Sequence, residues 1–260
     1  MDDATAAKYL AQSGQLGKEL KENLVHNEEG YHFRFDSRGK CHFFREDGLC
    51  RLILELGEES LCYICAQHPR FYATVFLNAE FELGGVGLCC EKTCELLLAS
   101  EGLNFVVPGE AGKISLLELC QRLDLDFLEE ELHYKPVLTA EYMELVLKCM
   151  SQTEPISDVW TADLNALRLR KQEVLLRSKD ALNLEIEALL DKVFQYILYR
   201  QLEFTDVYTE ETLLDYAKLS TEFILYTSAF TGDLQEAVRR WSEQIEYDTE
   251  NVEVLLGLLA

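Results

Sequence analysis

Seven of the nine cysteines fall between positions 41 and 94, spaced Cys41-x8-Cys50-x11-Cys62-x2-Cys65-x23-Cys89-Cys90-x3-Cys94. Cys62-Tyr63-Ile64-Cys65 is the most informative pair, because two intervening residues let both thiolates face one ion from a tight turn. Further sulfur would complete a tetrahedral zinc site or a cubane iron–sulfur cluster, each of which takes four ligands, and Cys41, Cys50 and Cys90 can supply it. Residue types alone do not separate the two, since four thiolates serve both. A metal would also explain how the stretch from Gly30 to Gly87, which lacks a helical period, becomes ordered, because metal binding contributes folding free energy directly.

The remaining candidates are weaker. Cys120 and Cys149 lie on apolar helical stripes, where a free cysteine behaves as a small hydrophobe. His68 completes Cys-x2-Cys-x2-His, but His68-Pro69-Arg70 reads better as the end of the knuckle. A thioredoxin-like pair at Cys62 and Cys65 would need a βαβ context that the pattern does not supply. A redox-sensing thiol outside the metal site leaves Cys89 and Cys94 as candidates. Cys90-x3-Cys94 begins like the cysteine motif of radical enzymes, but Leu97 stands where its third cysteine belongs. Glu82-Leu83-Gly84-Gly85-Val86-Gly87 has glycines, but not at the spacing of a nucleotide- or S-adenosylmethionine-binding Rossmann loop, and it reads as a turn. Hydrolase, zinc-protease, Walker and kinase motifs are absent from the sequence.

The elements that must hold these residues read as mainly α, a multi-helix body with an irregular cysteine-rich segment and a short β-hairpin. An amphipathic helix with a break near Gly14 covers residues 3 to 25. Arg70 to Leu77, a tight turn at Asn78-Ala79, and Glu80 to Leu83 form the hairpin. Helices are expected at Leu52 to Glu58, Glu91 to Ser100 and Ser115 to Leu123, the last opened by the capping-box spacing Ser115-x-x-Glu118. More follow at Asp126 to His133, Thr139 to Ser151, and Thr161 to Phe204 with a break near Ser178. Thr209 to Phe230, Asp233 to Tyr247 and Thr249 to Leu259 complete the set. Residues 1–100 are expected to hold the lead-in helix, cysteine region and hairpin, and 101–260 an all-helical region packed with it as one unit.

The 260 residues are 48% apolar and 27% charged, the composition of an ordinary globular protein. Their formal net charge is −23, which repels phosphate backbones and anionic membrane surfaces and argues against both as partners. Met1-Asp2-Asp3-Ala4-Thr5 shows no basic run followed by an apolar stretch, and no segment approaches the ~20 apolar residues of a membrane span. A reducing, cytoplasmic setting is therefore the expectation, and there clustered thiols point to metal rather than to disulfides.

At this point the residues resemble a known family. Cys41-His42-Phe43-Phe44-Arg45-Glu46-Asp47-Gly48-Leu49-Cys50-Arg51-Leu52, then Leu56-Gly57-Glu58-Glu59-Ser60-Leu61-Cys62, then Cys65 and His68-Pro69-Arg70-Phe71, resemble the ordered cysteine motifs of the flagellin lysine-N-methylases. Leu88-Cys89-Cys90-Glu91-Lys92 falls where that family's next motif is expected, with Cys90 in the place of its cysteine. Glu243-Gln244-Ile245-Glu246-Tyr247-Asp248-Thr249-Glu250-Asn251 is similar to its late motif. Glu91 stands where proline is usual and Tyr247 where histidine is usual. Cys89 and Cys94 are additional thiols, and the family's upstream cysteine segment has no counterpart here. The resemblance implies methyl transfer from S-adenosylmethionine to lysines of flagellin by an enzyme carrying an iron–sulfur cluster. It points to Cys41, Cys50, Cys62, Cys65 and Cys90 as the pool of ligands. A non-catalytic module stapled by zinc or iron–sulfur is the rival reading. Tyr196, Tyr199 and Arg200 are conceivable pocket residues, although core packing explains them as well.

Overall fold

The computed structural model describes residues 1–27, 30–37, 39–76 and 80–260. Among them, thirteen α-helices and two antiparallel two-stranded sheets make the chain mainly helical. It divides into two units, Met1–His68 and Pro69–Ala260.

In the first unit, α1 (Asp3–Leu10) starts where the Asp2 carboxylate accepts the Thr5 N–H at 2.8 Å. The predicted break near Gly14 is present, and α2 (Gly14–Asn23) follows. Gly17 permits the tight reversal, since a Cβ there would lie 2.2 Å from the Gln12 carbonyl oxygen. Next come β1 (Leu24–Asn27) and β2 (Gly30–Phe33), a hairpin that sequence reading missed, in register Leu24↔Phe33 to Asn27↔Gly30. The short helices α3 (Arg51–Leu56) and α4 (Tyr63–Gln67) complete this unit. Its core is Tyr9, Leu20, Phe33, Phe43 and Leu52, with the Phe33 ring 5.4 Å from Tyr9 and 4.8 Å from Phe43. So few apolar side chains bury little area, and units this small generally need a further staple.

The second unit opens with β3 (Arg70–Phe76) and β4 (Glu80–Val86), paired antiparallel from Arg70↔Val86 to Phe76↔Glu80. The predicted hairpin is thus present, while its turn at Asn78-Ala79 lies outside the described residues. Gly84 and Gly85 belong to β4 and not to a turn beyond it, because the ladder continues to Val86. The helices are α5 (Glu91–Ala99), α6 (Leu116–Arg122), α7 (Ala140–Met150), α8 (Asp158–Leu169), α9 (Lys171–Ala181), α10 (Leu184–Gln201), α11 (Glu210–Thr231), α12 (Leu234–Trp241) and α13 (Thr249–Leu259). Ser115 caps α6 by accepting the Glu118 N–H at 3.2 Å, and Thr139, Ser157, Thr209, Asp233 and Asp248 cap later helices in the same way.

Two expectations are corrected. Residues 126–133 form only a short 3-10 turn, Glu129–Leu132. The span 161–204 breaks at Arg170 and at Leu182-Asn183 instead of at Ser178. Ser178 stays helical because its hydroxyl donates to Val174 O at 2.9 Å. Asn183 starts the next helix by accepting the Glu185 and Ile186 N–H groups. α11 runs through the centre of this unit, packed by α7, α8, α9, α10, α12 and α13 and buried nearly all round. Among the described residues no helix is long and apolar enough to cross a membrane.

Candidate functional site

In the first unit, two tight loops present the first pair of thiols. Asp36 N–H donates to Lys40 O (2.8 Å) and Arg45 N–H to Leu49 O (2.9 Å). Cys41 and Cys50 follow directly, each in an isolated bridge, Phe35↔Cys41 and Phe44↔Cys50. Gly39 and Gly48 make both reversals possible at φ 74° and 81°. Cys50 immediately precedes α3, Cys62 immediately precedes α4, and Cys65 sits within α4. The Tyr9 hydroxyl donates to Ser60 O at 2.7 Å and ties α1 to the segment leading into Cys62.

The four thiols act on one another electrostatically. A hydrogen bond from Cys65 draws Cys62 down to about 6, while that same bond, then burial, then the charges of Cys62, Cys41 and Cys50 push Cys65 up. Burial raises Cys41, with Cys50 and Cys62 adding to the effect, and Tyr9 is raised by burial and then by Cys62, Cys65 and Cys50. Of the five predicted ligands, Cys41, Cys50, Cys62 and Cys65 thus share one neighbourhood. Cys90 belongs to the second unit.

Among the described residues no group of three or more His, Cys, Asp or Glu side chains is arranged to hold a metal ion. Cys62 and Cys65 hydrogen-bond to each other. The donor chemistry nonetheless suits a soft cation. Cys41 and Cys65, held above the ordinary thiol value, are groups that a bound cation would deprotonate.

In the second unit, Cys90 caps α5 beside Cys89 and Cys94. Cys94 Sγ donates to Leu88 O at 2.8 Å, and burial pushes both Cys89 and Cys94 up to about 12, which leaves neither primed as a reactive thiol. Cys120 and Cys149 are buried in the core as expected.

Beneath Leu88 lies a residue that sequence reading did not single out. Glu246 is buried on a π-helical turn, Ser242–Glu246, that continues α12, and such turns recur at functional sites. Leu88 N–H donates to Glu246 Oε2 at 3.3 Å, and Ser242 Oγ donates to the same oxygen. The Tyr196 hydroxyl oxygen lies 2.8 Å from both Glu246 Oε1 and Val86 O. A phenol has one proton to give, so if Val86 O takes it, Glu246 must supply the proton for the other contact. Burial points the same way, raising the Glu246 carboxyl although Arg200 Nε stands 3.7 Å away and pulls it down. Tyr247 hydrogen-bonds to Cys89. The two late stretches that carry the resemblance, 88–92 and 243–251, therefore meet across a sequence gap of 150 residues and more. The signals in the sequence are its place in the late stretch 243–251 and its setting among Trp241, Ile245 and Tyr247.

Asn251 holds the far end of this segment. Its Oδ1 accepts Glu154 N–H (2.7 Å), and its Nδ2 donates to Glu154 O and Gln244 O (3.0 Å each). Asn251→Ala is expected to cost about 2 kcal/mol, since it orphans buried backbone groups. A urea midpoint within error of wild type would reject that role.

No protein-family model, curated protein or solved structure matches the chain.

Proposed function

We propose that the chain is a flagellin-type protein-lysine N-methyltransferase, using S-adenosylmethionine as methyl donor and flagellin as acceptor. A cysteine-ligated centre, a 4Fe–4S cluster in the leading reading and zinc in the other, belongs to its first unit. The observation that carries this reading is the convergence of the motif residues. Cys41, Cys50, Cys62 and Cys65 all lie in one small unit, and the late motif closes through Glu246 onto the Leu88 turn.

A centre bound by those four thiols would supply folding free energy to a unit with a small core. The remaining tasks fall to the chain's own residues. The acceptor amine must be neutral before it attacks the methyl group, which calls for desolvation or a base at the site. A net charge of −23 favours encounter with a lysine-presenting surface. The small core of the first unit also favours the rival reading, a non-catalytic module in which the centre is purely a staple.

The test begins with metal and acid-labile sulfide analysis on protein purified without oxygen. About four iron and four sulfide per chain support the cluster, and one zinc without sulfide supports the staple. Incubation of the loaded protein with S-adenosylmethionine and flagellin is then expected to add methyl-unit mass to flagellin lysines. No mass gain with fully loaded protein would end the enzyme reading.

A further inference from the structure

β4 has one edge that pairs with no strand. The Gly87 N–H···O bond to Pro69 (2.7 Å) fixes which residues face that edge. With Pro69–Gly87 a hydrogen-bonded pair, the register makes Phe71–Gly85 the next one and turns the backbone groups of Gly84 and Val86 outward. Both outward carbonyls are occupied, Gly84 O by the Tyr199 hydroxyl (2.9 Å) and Val86 O by Tyr196 (2.8 Å). Among the described residues neither outward N–H has an acceptor outside the ladder.

A cavity of about 290 Å³ opens along this edge. Gly84 and Gly85 line it with bare backbone, together with Leu97, Leu103, Phe105, Tyr196 and Tyr199. A Cβ at Gly85 would lie 2.7 Å from the Phe71 ring, which would have to shift to admit it. The Phe105 and Tyr199 rings are 4.5 Å apart. No charged side chain lines the cavity, so an ion or a carboxylate has no counter-charge there. An extended peptide is also poorly served, because strand addition requires the carbonyls that the tyrosines already hold. What fits is a planar, mostly apolar ring with acceptor atoms at its rim, stacked against glycine backbone and receiving one of the free N–H groups. The volume is at the lower end of the ~300–1,000 Å³ usual for small-ligand sites and suits a nucleoside.

We propose that this cavity binds the adenosyl group of the methyl donor, with Gly84 and Val86 N–H reading the rim of the base. The assignment rests on the methyl-transfer reading above, and it places the donor against Tyr196, whose hydroxyl also meets Glu246.

The experiment uses the full metal-loaded chain, with S-adenosylhomocysteine titrated by calorimetry and 2-azidoadenosine as photolabel. Leu96 lies at the cavity rim and is 60% exposed, so Leu96→Trp blocks the mouth without touching the core. Leu176→Trp, at an exposed position on α9, is the control. Label on the peptide spanning 84–105, together with affinity for S-adenosylhomocysteine about tenfold weaker in Leu96→Trp than in the control, is the expected result. Tight binding with label elsewhere and both variants at wild-type affinity would overturn the cavity assignment while leaving methyl transfer intact. Absence of binding together with absence of methyl transfer to flagellin would overturn both.

Discussion

Replacing Glu246 with alanine is expected to remove about 3 kcal/mol of stability, because it orphans the Leu88 N–H and the Ser242 hydroxyl and leaves the Arg200 guanidinium without its buried carboxyl neighbour. For a chain of this size that corresponds to a melting temperature lower by roughly 6–12 °C. Glu246→Gln should fall far less, since glutamine keeps the volume, accepts from Leu88 and Ser242, and donates to Tyr196. The pH dependence separates this from simple packing. Burial raises the folded-state value above the ordinary 4.5, so the native chain holds a proton that the unfolded chain gives up. That contribution is fully present below about pH 4.5 and is lost as pH rises through the folded value. Besides Arg200, the charged or titratable groups facing Glu246 are Tyr196, Tyr216, Tyr247, Cys89 and Cys94, none of which titrates from its raised position in the acid range. Wild type should therefore lose stability relative to Glu246→Gln as pH rises above about 4.5, and a flat difference in chemical denaturation would reject a protonated Glu246.

The second large effect concerns the first unit. Chelation of the proposed centre, or Cys62→Ser, is expected to abolish amide protection across residues 1–68 while the α10–α11 core stays protected. Structural metal sites contribute on the order of 10 kcal/mol, and the five-residue core of this unit cannot replace that. Hydrogen exchange read by peptide, alongside metal content, measures both. Cys41→Ser, Cys50→Ser and Cys65→Ser should behave alike, whereas Cys90→Ser should retain the metal. Equal protection of residues 1–68 with and without metal would show that the staple is unnecessary.

Much of the helical body was legible because its punctuation is local. Ser115-x-x-Glu118, the break near Gly14 and the caps at Thr139, Thr209 and Asp233 each act within a turn of the residue that encodes them. Failures occurred where a longer-range cause prevailed. Leu24–Asn27 and Gly30–Phe33 pair into strands although neither alternates cleanly, and Gly84-Gly85 are strand because β3 dictates the ladder. The break assigned to Ser178 followed the density of apolar residues, whereas Asn183, a stronger signal, was passed over. The cysteine neighbourhood was readable from spacing. Glu246 was not, because what makes it unusual is supplied by Leu88 and Tyr196, far away in the chain.

The side-chain caps on α6, α7, α8, α10, α11, α12 and α13 also have a kinetic meaning. Each of these seven helices begins at a residue that marks the same start in the unfolded chain, and the β3–β4 hairpin joins strands that are neighbours in sequence. Little search is therefore needed before contacts begin to reward the chain, which favours fast folding of the helices. The closing of residues 242–251 over the Leu88 turn joins residues far apart in sequence and is expected to follow the folding barrier, so its loss should accelerate unfolding and leave the folding rate almost unchanged.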